Sequence, residues 1–354
     1  MSSKTPATTT EKRVAITNVD SWLGYCAAYC LAQQLEKNCK DVTLVCLACN
    51  TDLLDKLKGL KNVRIIKVDY HDTGCLEKAL QGVCCTVLIP EMDKHRAELG
   101  KNVLDVMNRQ GIKSCMMISC DGASEECHLK SIESFCKLEK EVEKSCSSCY
   151  LILRKGFLNQ CFFFWSHAVK EAADFPLTIE KAYKMAPLDA RDLVSAITSI
   201  MVKKCQETSH GTDEFGPHKN KTYTLTGPNE LTPEHLVREL SEAIGKEVKL
   251  RHVERDELKK YLESLMRRPV LPLDISEDAS AATVGGDGDH DHDDHEYYPP
   301  SEAMIELLLD ELELIKRGKA GFASNDLEKI LGHQGKSIRD FLHEEKDAFK
   351  PKRD

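Results

Sequence analysis

The stretch VAITNVDSWLGYCAAYCLAQQL, residues 14–35, decides the fold. An apolar run, a short polar turn and a helix-like segment are the usual beginning of a nucleotide-binding strand–loop–helix unit. Loops of this kind carry three glycines at three-residue spacing, but here the corresponding positions hold Asn18, Ser21 and Gly24. The stretch therefore predicts the architecture and leaves open whether the loop still binds a dinucleotide.

The next 120 residues alternate apolar runs with amphipathic segments. The predicted strands after VAIT are DVTLVCLA, VRIIKVD, CTVLIP, KSCMMISC and YLILRKG, with a helix between each pair. Continuous apolar strands separated by helices are typical of a parallel sheet covered on both faces. Right-handed crossovers then predict an α/β fold with a doubly wound sheet of about six strands, over residues 13–156.

Beyond Phe157 the pattern changes to a smaller C-terminal α/β lobe, predicted over 157–345. One helix is predicted to begin near Asp189 to Asp192. Another has Thr232 as its N-cap and ends at Gly245. Residues 1–12 are predicted to be a disordered lead-in, 276–300 a disordered acidic loop, and 346–354 a frayed tail.

Composition narrows the class of protein. The formal charge of −9 over 354 residues argues against a protein that follows nucleic-acid phosphates. No apolar run reaches the length of a membrane span, and the polar N-terminus lacks the apolar core of a secretory signal. We therefore expect no direct nucleic-acid binding, no membrane insertion, and a cytoplasmic location with the nucleus as a second compartment.

The chain has 16 cysteines, most of them within apolar runs. Two Cys-x-x-Cys pairs, Cys46/Cys49 and Cys146/Cys149, raise the alternative of a four-thiolate zinc site. However, Cys46 falls within a predicted strand, and no short knuckle loop surrounds either pair. Reduced core thiols are the favoured interpretation, and we expect no metal to be required.

Several phrases, taken in order, resemble the NmrA-like proteins, atypical members of the short-chain dehydrogenase/reductase group. They span roughly Val14 to Phe349: VAITN, VDYHD, GKNVLDVMNRQGIK leading into CMMIS, YLILRKGFLNQ, PLDARDL, YTLTGPNELTPEHLVRELSEAIGKEV and FASNDLEKILGHQGKSIRDFL. The resemblance implies a Rossmann fold whose glycine-rich loop binds NADP or NAD. It also implies that some members are redox sensors or transcriptional co-regulators rather than enzymes.

Each glycine of such a loop has a steric task, and the second lets the backbone approach the pyrophosphate. Ser21 would project a side chain into that space, Asp20 would add negative charge, and Trp22 adds bulk. The opposing evidence is the helix amino terminus, which attracts anions, together with the hydroxyls of Thr17 and Ser21. We therefore expect NAD(P) binding to be weak or absent. If a dinucleotide binds, the predicted contacts are Thr17, Ser21, Trp22, Leu23, Gly24, Asp69 and Lys137.

The choice between NAD and NADP is not decided by the residues. Relatives that prefer NADP have a basic residue after the second strand, where this chain has Cys49 and Asn50. Asp69 matches the family position that borders the adenine, with a turn or capping aspartate as the alternative. Lys137 lies close to the lysine that NmrA-like proteins retain near the cofactor, with a solvated helix lysine as the favoured alternative.

Redox catalysis is not expected. Classical members of the short-chain dehydrogenase/reductase group use a Tyr-x-x-x-Lys pair for proton transfer. In this chain, neither Tyr150 nor Tyr183 is followed four residues later by lysine. Ser119 ends a predicted strand, where a catalytic serine could lie, but it lacks the tyrosine that it would assist. No catalytic residue is predicted.

Three histidines, His290, His292 and His295, lie among carboxylates in the acidic loop. Imidazoles at this density could bind zinc, nickel or copper weakly, although a solvated, self-repelling loop is the favoured interpretation. The leading functional hypothesis is a non-catalytic regulatory or binding protein that contacts a protein partner through the C-terminal lobe. The alternative is an NAD(P)H-dependent reductase of a small carbonyl or quinone substrate.

Overall fold

The structure is a computed structural model, and the following description concerns the residues that it describes. These are residues 12–52, 54–90, 93–124, 127–180, 182–207, 215–267, 271–272 and 297–350. Residues 1–11, most of the predicted acidic loop and all three of its histidines (His290, His292 and His295) lie outside them.

A seven-stranded parallel sheet forms the centre of the molecule, with the strand order β3-β2-β1-β4-β5-β6-β8. Its strands are β1 (Lys12–Ile16), β2 (Val42–Ala48), β3 (Val63–Lys67), β4 (Val83–Leu88), β5 (Ser114–Cys120), β6 (Cys149–Lys155) and β8 (Lys221–Leu225). The predicted doubly wound α/β fold is confirmed. Lys12, which the sequence placed in the lead-in, belongs to β1 because its backbone pairs with Val42.

The remaining described strands form two small sheets. A parallel pair joins β7 (Asp174–Leu177) and β9 (Lys249–His252), and an antiparallel pair joins β10 (Leu271–Pro272) and β11 (Tyr297–Tyr298). The sequence placed the YTLTG strand in the smaller lobe, but β8 instead completes the main sheet beside β6. The open edge of β6 offers unpaired backbone groups, which β8 satisfies.

Helices cover both faces of the main sheet. The helices that the structure describes are α1 (Trp22–Asn38), α2 (Asp55–Lys58), α3 (Thr73–Ala79), α4 (Arg96–Arg109), α5 (Lys130–Ser145), α6 (Ser166–Ala172), α7 (Ala190–Glu207), α8 (Pro233–Ile244), α9 (Arg255–Glu263), α10 (Glu302–Lys316), α11 (Asp326–Leu331) and α12 (Ile338–Glu344). Helix α1 packs against α7 on one face, and α4 packs against α3 and α5 on the other. Helix α7 packs against α1 and β8 joins the main sheet, so two elements beyond the predicted boundary at Phe157 belong to the N-terminal part of the fold.

The predicted caps of α8 are confirmed. The Thr232 hydroxyl accepts a hydrogen bond from the His235 N–H at 3.3 Å, and Gly245 ends the helix with a φ of 71°. That left-handed conformation favours glycine because a Cβ atom would be crowded there. The cap residues therefore fix both ends of the helix, as the sequence indicates.

The C-terminal residues differ from the predicted frayed tail. Phe349 is fully buried, and its ring stacks on Phe163 with centroids 5.8 Å apart. Phe341 packs against the same ring at 5.5 Å. The aromatic cluster FFFW, residues 162–165, follows β6 and supplies an apolar surface. Burial of Phe341 and Phe349 against this surface stabilises the packed chain end over a solvated one.

Candidate functional site

The sheet reverses its winding between β1 and β4, and the carboxyl ends of the strands at such a point form the usual ligand crevice of doubly wound folds. Three features meet there. The β1–α1 loop lies at the switch point, the end of β2 lies on one side, and the ends of β4, β5 and β6 lie on the other. Helix α10 covers the second side.

The first half of the β1–α1 loop is bound to its neighbours. The Thr17 hydroxyl donates to the Ile89 carbonyl at 2.8 Å and accepts from the Ile89 N–H at 3.0 Å. Asn18, with a φ of 54°, donates its backbone N–H to the Tyr70 hydroxyl at 2.7 Å and its side-chain amide to the Pro90 carbonyl at 3.1 Å. Asparagine tolerates positive φ better than most residues, so it can replace the first glycine.

The second half of the loop is an N-cap. The Ser21 hydroxyl donates to the Asn18 carbonyl at 2.7 Å and accepts from the Gly24 N–H at 3.1 Å. Ser21 is thus turned back onto the loop, where it satisfies an N–H group at the helix terminus. A Cβ at Gly24 would lie 1.9 Å from the Asn18 carbonyl oxygen, so only glycine fits there. The third glycine of the pattern keeps its packing role.

Asp20 connects the loop to the end of β2. Its carboxylate accepts the Asn50 N–H at 2.7 Å and also hydrogen-bonds the N–H of Cys49. Burial raises the pKa of this carboxyl, and the backbone hydrogen bonds oppose that shift. A carboxylate of the protein therefore occupies the backbone N–H groups of Cys49 and Asn50, directly after β2.

A cavity of about 70 Å³ lies beyond the loop, over the ends of β4, β5 and β6. Its apolar walls include Trp22, Leu23, Pro90, Phe135, Met304 and Leu308. Pockets for drug-sized ligands are ~300–1,000 Å³, so this cavity holds only a small molecule unless α10 moves. Trp22, 2% exposed, is part of the wall.

The polar groups in the cavity are paired with one another. The Lys155 ammonium forms an ion pair with the Glu311 carboxylate of α10, and the Cys120 thiol donates to the same carboxylate at 3.3 Å. Burial lowers the pKa of Lys155, but the Glu311 carboxylate together with the nearby Cys120 and Cys161 outweighs burial and holds that pKa above its usual range. The ion pair fixes α10 to the end of β6.

Ser119 takes part in a second buried network. Its hydroxyl donates to the Glu139 carboxylate at 2.5 Å, and Arg154 holds that carboxylate through Nε at 2.9 Å and Nη2 at 2.6 Å. Tyr150 and Arg154 both lie in β6, about 13 Å apart along the strand, so they cannot act on one substrate atom as a Tyr-x-x-x-Lys pair does.

Five of the seven predicted cofactor residues lie around the switch point, while Lys137 faces solvent and Asp69 lies beside Tyr70, whose hydroxyl binds the loop at Asn18. Thr17, Ser21, Trp22, Leu23 and Gly24 surround the switch point. Asp69 is exposed and accepts the His71 N–H at 2.9 Å, which is the geometry of a turn aspartate. Lys137 is on the solvent side of α5, 64% exposed at its side chain and paired with Glu133.

Three residues of the site were missed. Tyr70 is buried and donates its hydroxyl to the Leu47 carbonyl at 3.3 Å while it holds Asn18. Lys155 ends an apolar strand, and Glu311 interrupts the apolar MIELLLDELEL stretch of α10. Charged residues in such runs are rarely buried unpaired, so their presence could have indicated an ion pair.

The described residues hold no cluster of three or more potential metal ligands. Cys46 is buried in β2 while Cys49 is exposed, and both Cys146 and Cys149 are buried. None of the helices in the described ranges combines the length and the apolar character that a membrane span needs.

No protein-family profile matches the chain. One curated relative is an NAD(P)H azoreductase of Xenophilus azovorans, 23% identical over 193 residues, which are 53% of this chain and 61% of the relative. The match thus spans about three fifths of the length of that enzyme.

Solved structures of the same architecture cover nearly the whole chain. The quinone oxidoreductase QOR2 of Escherichia coli, complexed with NADPH, is 21% identical with a TM-score of 0.68, covering 93% of this chain and 98% of its own. The NADP(H)-complexed triphenylmethane reductase of Citrobacter is 19% identical with a TM-score of 0.67 and the same coverages. The negative transcriptional regulator NmrA, in complex with NADP, is 11% identical with a TM-score of 0.62, covering 94% and 95%. The predicted resemblance is confirmed at the level of the fold: the chain has the Rossmann-type architecture of the NmrA-like proteins.

Proposed function

We propose that the protein is a non-catalytic binding and regulatory protein whose cleft keeps the shape of a dinucleotide site but little of its affinity. One observation carries this proposal. The backbone donors that would face a dinucleotide are already bound by side chains of the protein: Asn18 by Tyr70, Gly24 by Ser21, and Asn50 by Asp20.

Electrostatics supports the same conclusion. A dinucleotide carries a negatively charged pyrophosphate, which helix termini attract through free N–H groups and a positive dipole end. Here the Asp20 carboxylate lies between the loop and the end of β2, and Cys49 and Asn50 supply no positive side chain. To bind, the cofactor would have to displace the Asp20 carboxylate, which is hydrogen-bonded and has the same sign of charge. This displacement costs binding free energy that a protein without such a carboxylate does not lose.

Among the described residues that line the cavity, Lys155 and Ser119 are candidate proton donors, and both are bound to carboxylates. A general acid is most effective when its pKa lies near the operating pH, but Glu311 holds the Lys155 pKa above the usual range for lysine. Ser119 donates to Glu139 and therefore faces a carboxylate rather than a substrate. These contacts support a binding role over a reductive one.

The ligand that best fits the cavity is small, neutral and apolar. The walls are hydrophobic, and the charges of Lys155 and Glu311 cancel each other. A charged ligand would lose its hydration without gaining a counter-ion. Because α10 forms one wall of the cavity, a bound ligand would change the position of α10. We propose that this change affects the contact between the C-terminal region and a protein partner.

The alternative is an NAD(P)H-dependent reductase of a small carbonyl or quinone. Its support is the azoreductase relative together with the fold shared with QOR2 and triphenylmethane reductase. An apolar cavity next to the switch point is also compatible with a flat, uncharged substrate.

Calorimetric titration with NADPH, NADP, NADH and NAD separates the two functions, with the Escherichia coli quinone oxidoreductase as a positive control. We expect dissociation constants of ~1 mM or larger, corresponding to binding free energies no more favourable than about −4 kcal/mol. Micromolar binding, together with oxidation of NADPH by any member of a quinone, aldehyde and azo-dye panel, would establish the reductase and reject our proposal.

A further inference from the structure

A second cavity, of about 830 Å³, lies where α4, α5 and α10 begin. We call it the polar cavity. Its volume is within the ~300–1,000 Å³ range of small-molecule sites, whereas the apolar cavity in the cleft is far smaller. The Arg96 guanidinium of the polar cavity lies 4.5 Å from the ring centre of Phe135, and that ring lines the apolar cavity. The two cavities are therefore neighbours, but their described lining residues are different.

One wall of the polar cavity, formed by α4, α5 and the residues that precede them, is basic. Its positively charged or titratable side chains are Lys94, Arg96, His128 and Lys130. Arg96 is 2% exposed, and its Nη1 donates to the Ser131 carbonyl at 3.1 Å and to the Ser134 hydroxyl at 3.0 Å. A guanidinium is charged at every physiological pH, so Arg96 supplies a permanent positive charge at a fixed position.

The other three basic side chains of this wall are available to a ligand. Lys94, His128 and Lys130 are exposed, and their side chains make no hydrogen bond or ion pair with any residue that the structure describes. Lys137, further along α5, is instead paired with Glu133. Like charges that border one cavity repel one another, and an anion placed between them relieves that repulsion.

Another wall of the polar cavity belongs to α10 and carries carboxylates that α9 largely neutralises. Arg255 donates to Glu306 at 3.0 Å and to Asp310 at 2.8 Å, and Lys259 forms an ion pair with Glu306. Glu302, in the first turn of α10, is exposed and makes no ion pair within the described part of the chain. The negative charge that α10 presents to the cavity is therefore concentrated at Glu302.

The charges around the polar cavity have a positive excess. Asp93 is the carboxylate of the basic wall, and it accepts the His95 N–H at 2.7 Å. With Arg255 and Lys259 included, the basic side chains around the cavity outnumber the acidic ones. The whole chain has a formal charge of −9, so this excess is local. The potential in the cavity therefore favours an anion.

We propose that the polar cavity binds a small phosphate monoester, with the phosphoryl group on the basic wall. A phosphate monoester has close to two negative charges at neutral pH and a carboxylate has one, so several unpaired cations on one wall favour the phosphate. Lys94 and Lys130 neutralise the phosphoryl oxygens, and the Ser131 hydroxyl, which also lines the cavity, donates to one of them. Glu302 favours an ammonium or hydroxyl group at the other end of the ligand. This inference goes beyond the proposed function, because it concerns a cavity outside the cleft.

Calorimetric titration of the full-length protein with O-phosphoethanolamine tests the proposal, because this probe has a phosphoryl group at one end and an ammonium at the other. We expect saturable binding with a dissociation constant below ~1 mM. Lys94→Gln/Lys130→Gln should weaken it by ~10-fold or more, since two charge-assisted contacts are lost. Lys113→Gln/Lys144→Gln is the matched control. It makes the same charge change at exposed positions before β5 and at the far end of α5, and should leave binding unchanged.

Two further titrations identify the groups that the cavity recognises. Succinate has carboxylates in place of the phosphoryl group and should bind ~10-fold more weakly than O-phosphoethanolamine. Glu302→Gln removes the partner of the ammonium, so it should weaken the binding of O-phosphoethanolamine but not that of inorganic phosphate.

Four results would overturn the proposal. They are the absence of saturation up to ~10 mM probe, equal binding of succinate, equal weakening in the control variant, and unchanged binding in Lys94→Gln/Lys130→Gln. The last result would place the anion on another part of the protein, such as the β1–α1 loop. The replaced side chains are exposed, so the variants should fold like the wild type, which equal urea midpoints verify.

Discussion

The two sides of the cleft satisfy their polar groups in different ways. On the β1–β2 side, Tyr70, Ser21 and Asp20 accept the backbone N–H groups of Asn18, Gly24 and Asn50. On the β4–β6 side, charged groups bind one another and leave a small apolar cavity under α10. Our proposal implies that a fold of this kind can lose affinity for a dinucleotide and keep its shape, because internal side chains bind the donors that the ligand would otherwise contact.

The largest expected effect concerns the β4–β6 side. Replacing Glu311 by leucine leaves the Lys155 ammonium buried without a counter-ion, which costs ~3–5 kcal/mol of the free energy of unfolding. The double variant Lys155→Met/Glu311→Leu removes both charges and should be close to wild type or more stable. Urea unfolding of the two variants measures the difference.

A matched control uses the surface pair of Arg109 and Glu77, whose side chains are 49% and 45% exposed. Glu77→Leu should change the free energy of unfolding by less than ~1 kcal/mol, because solvent screens exposed pairs. If Glu311→Leu costs no more than Glu77→Leu, the ion pair does not fix α10, and the cavity wall is looser than described.

On the loop side, Gly24→Ala should be the most disruptive small substitution. The new Cβ would meet the Asn18 carbonyl oxygen at 1.9 Å, so the loop or α1 must shift. Overpacking of this kind costs ~1–3 kcal/mol. Gly59→Ala is the control, since its Cβ would meet nothing closer than the Lys56 carbonyl oxygen at 3.4 Å. Equal unfolding midpoints for the two variants would contradict the close approach of loop and helix.

Restoring donors on the loop side should restore affinity. The double variant Asp20→Asn/Ser21→Gly removes the internal carboxylate and frees the Gly24 N–H. We expect it to tighten NADPH binding by ~10-fold, or about 1.4 kcal/mol. Asp41→Asn makes the same charge change beside Lys12, at the far end of β1, and should leave binding unchanged. An equal gain in both variants would indicate a general charge effect rather than release of the loop.

The sequence predicted the local features of both sides and missed the long-range ones. Apolar runs and cap residues identified the strands, α1 and the ends of α8, because these depend on neighbours in the chain. The position of β8 depends on which sheet edge is open, which alternation of residue types does not report. Likewise, Lys155 and Glu311 are 156 residues apart, and only the packing of α10 brings them together.

The β1–α1 loop also depends on contacts between residues that are distant in the sequence. The sequence identified position 21 as a departure from the glycine pattern, and the steric block by Ser21 that it indicated stays a prediction. The observed role is an N-cap, and the residue that holds Asn18 is Tyr70, on the far side of β2. Hydrogen bonds between loops follow from the fold, so they become visible only when the sheet is assembled.

The smallest expected effect is a pH dependence that distinguishes Asp20 from Glu306 of α10. Burial raises the pKa of Asp20 above its usual 3.8, so the folded protein holds this proton to a higher pH than the unfolded chain. The free energy of unfolding then falls as pH rises through the interval above 3.8. Asp20→Asn removes that decline, and its stability relative to wild type should improve between pH 4 and pH 7.

Glu306 should give the opposite sign. Burial raises its pKa, but hydrogen bonds and charges from Lys259 and Arg255 outweigh burial and lower it below the usual 4.5. Its contribution to stability is therefore present above pH 4.5 and is lost as pH falls through the lowered value. Glu306→Gln should cost more at pH 7 than at pH 4, measured by urea midpoints. Parallel pH profiles for the two variants would mean that burial does not dominate at Asp20, and that its carboxylate is held as firmly as an ion pair.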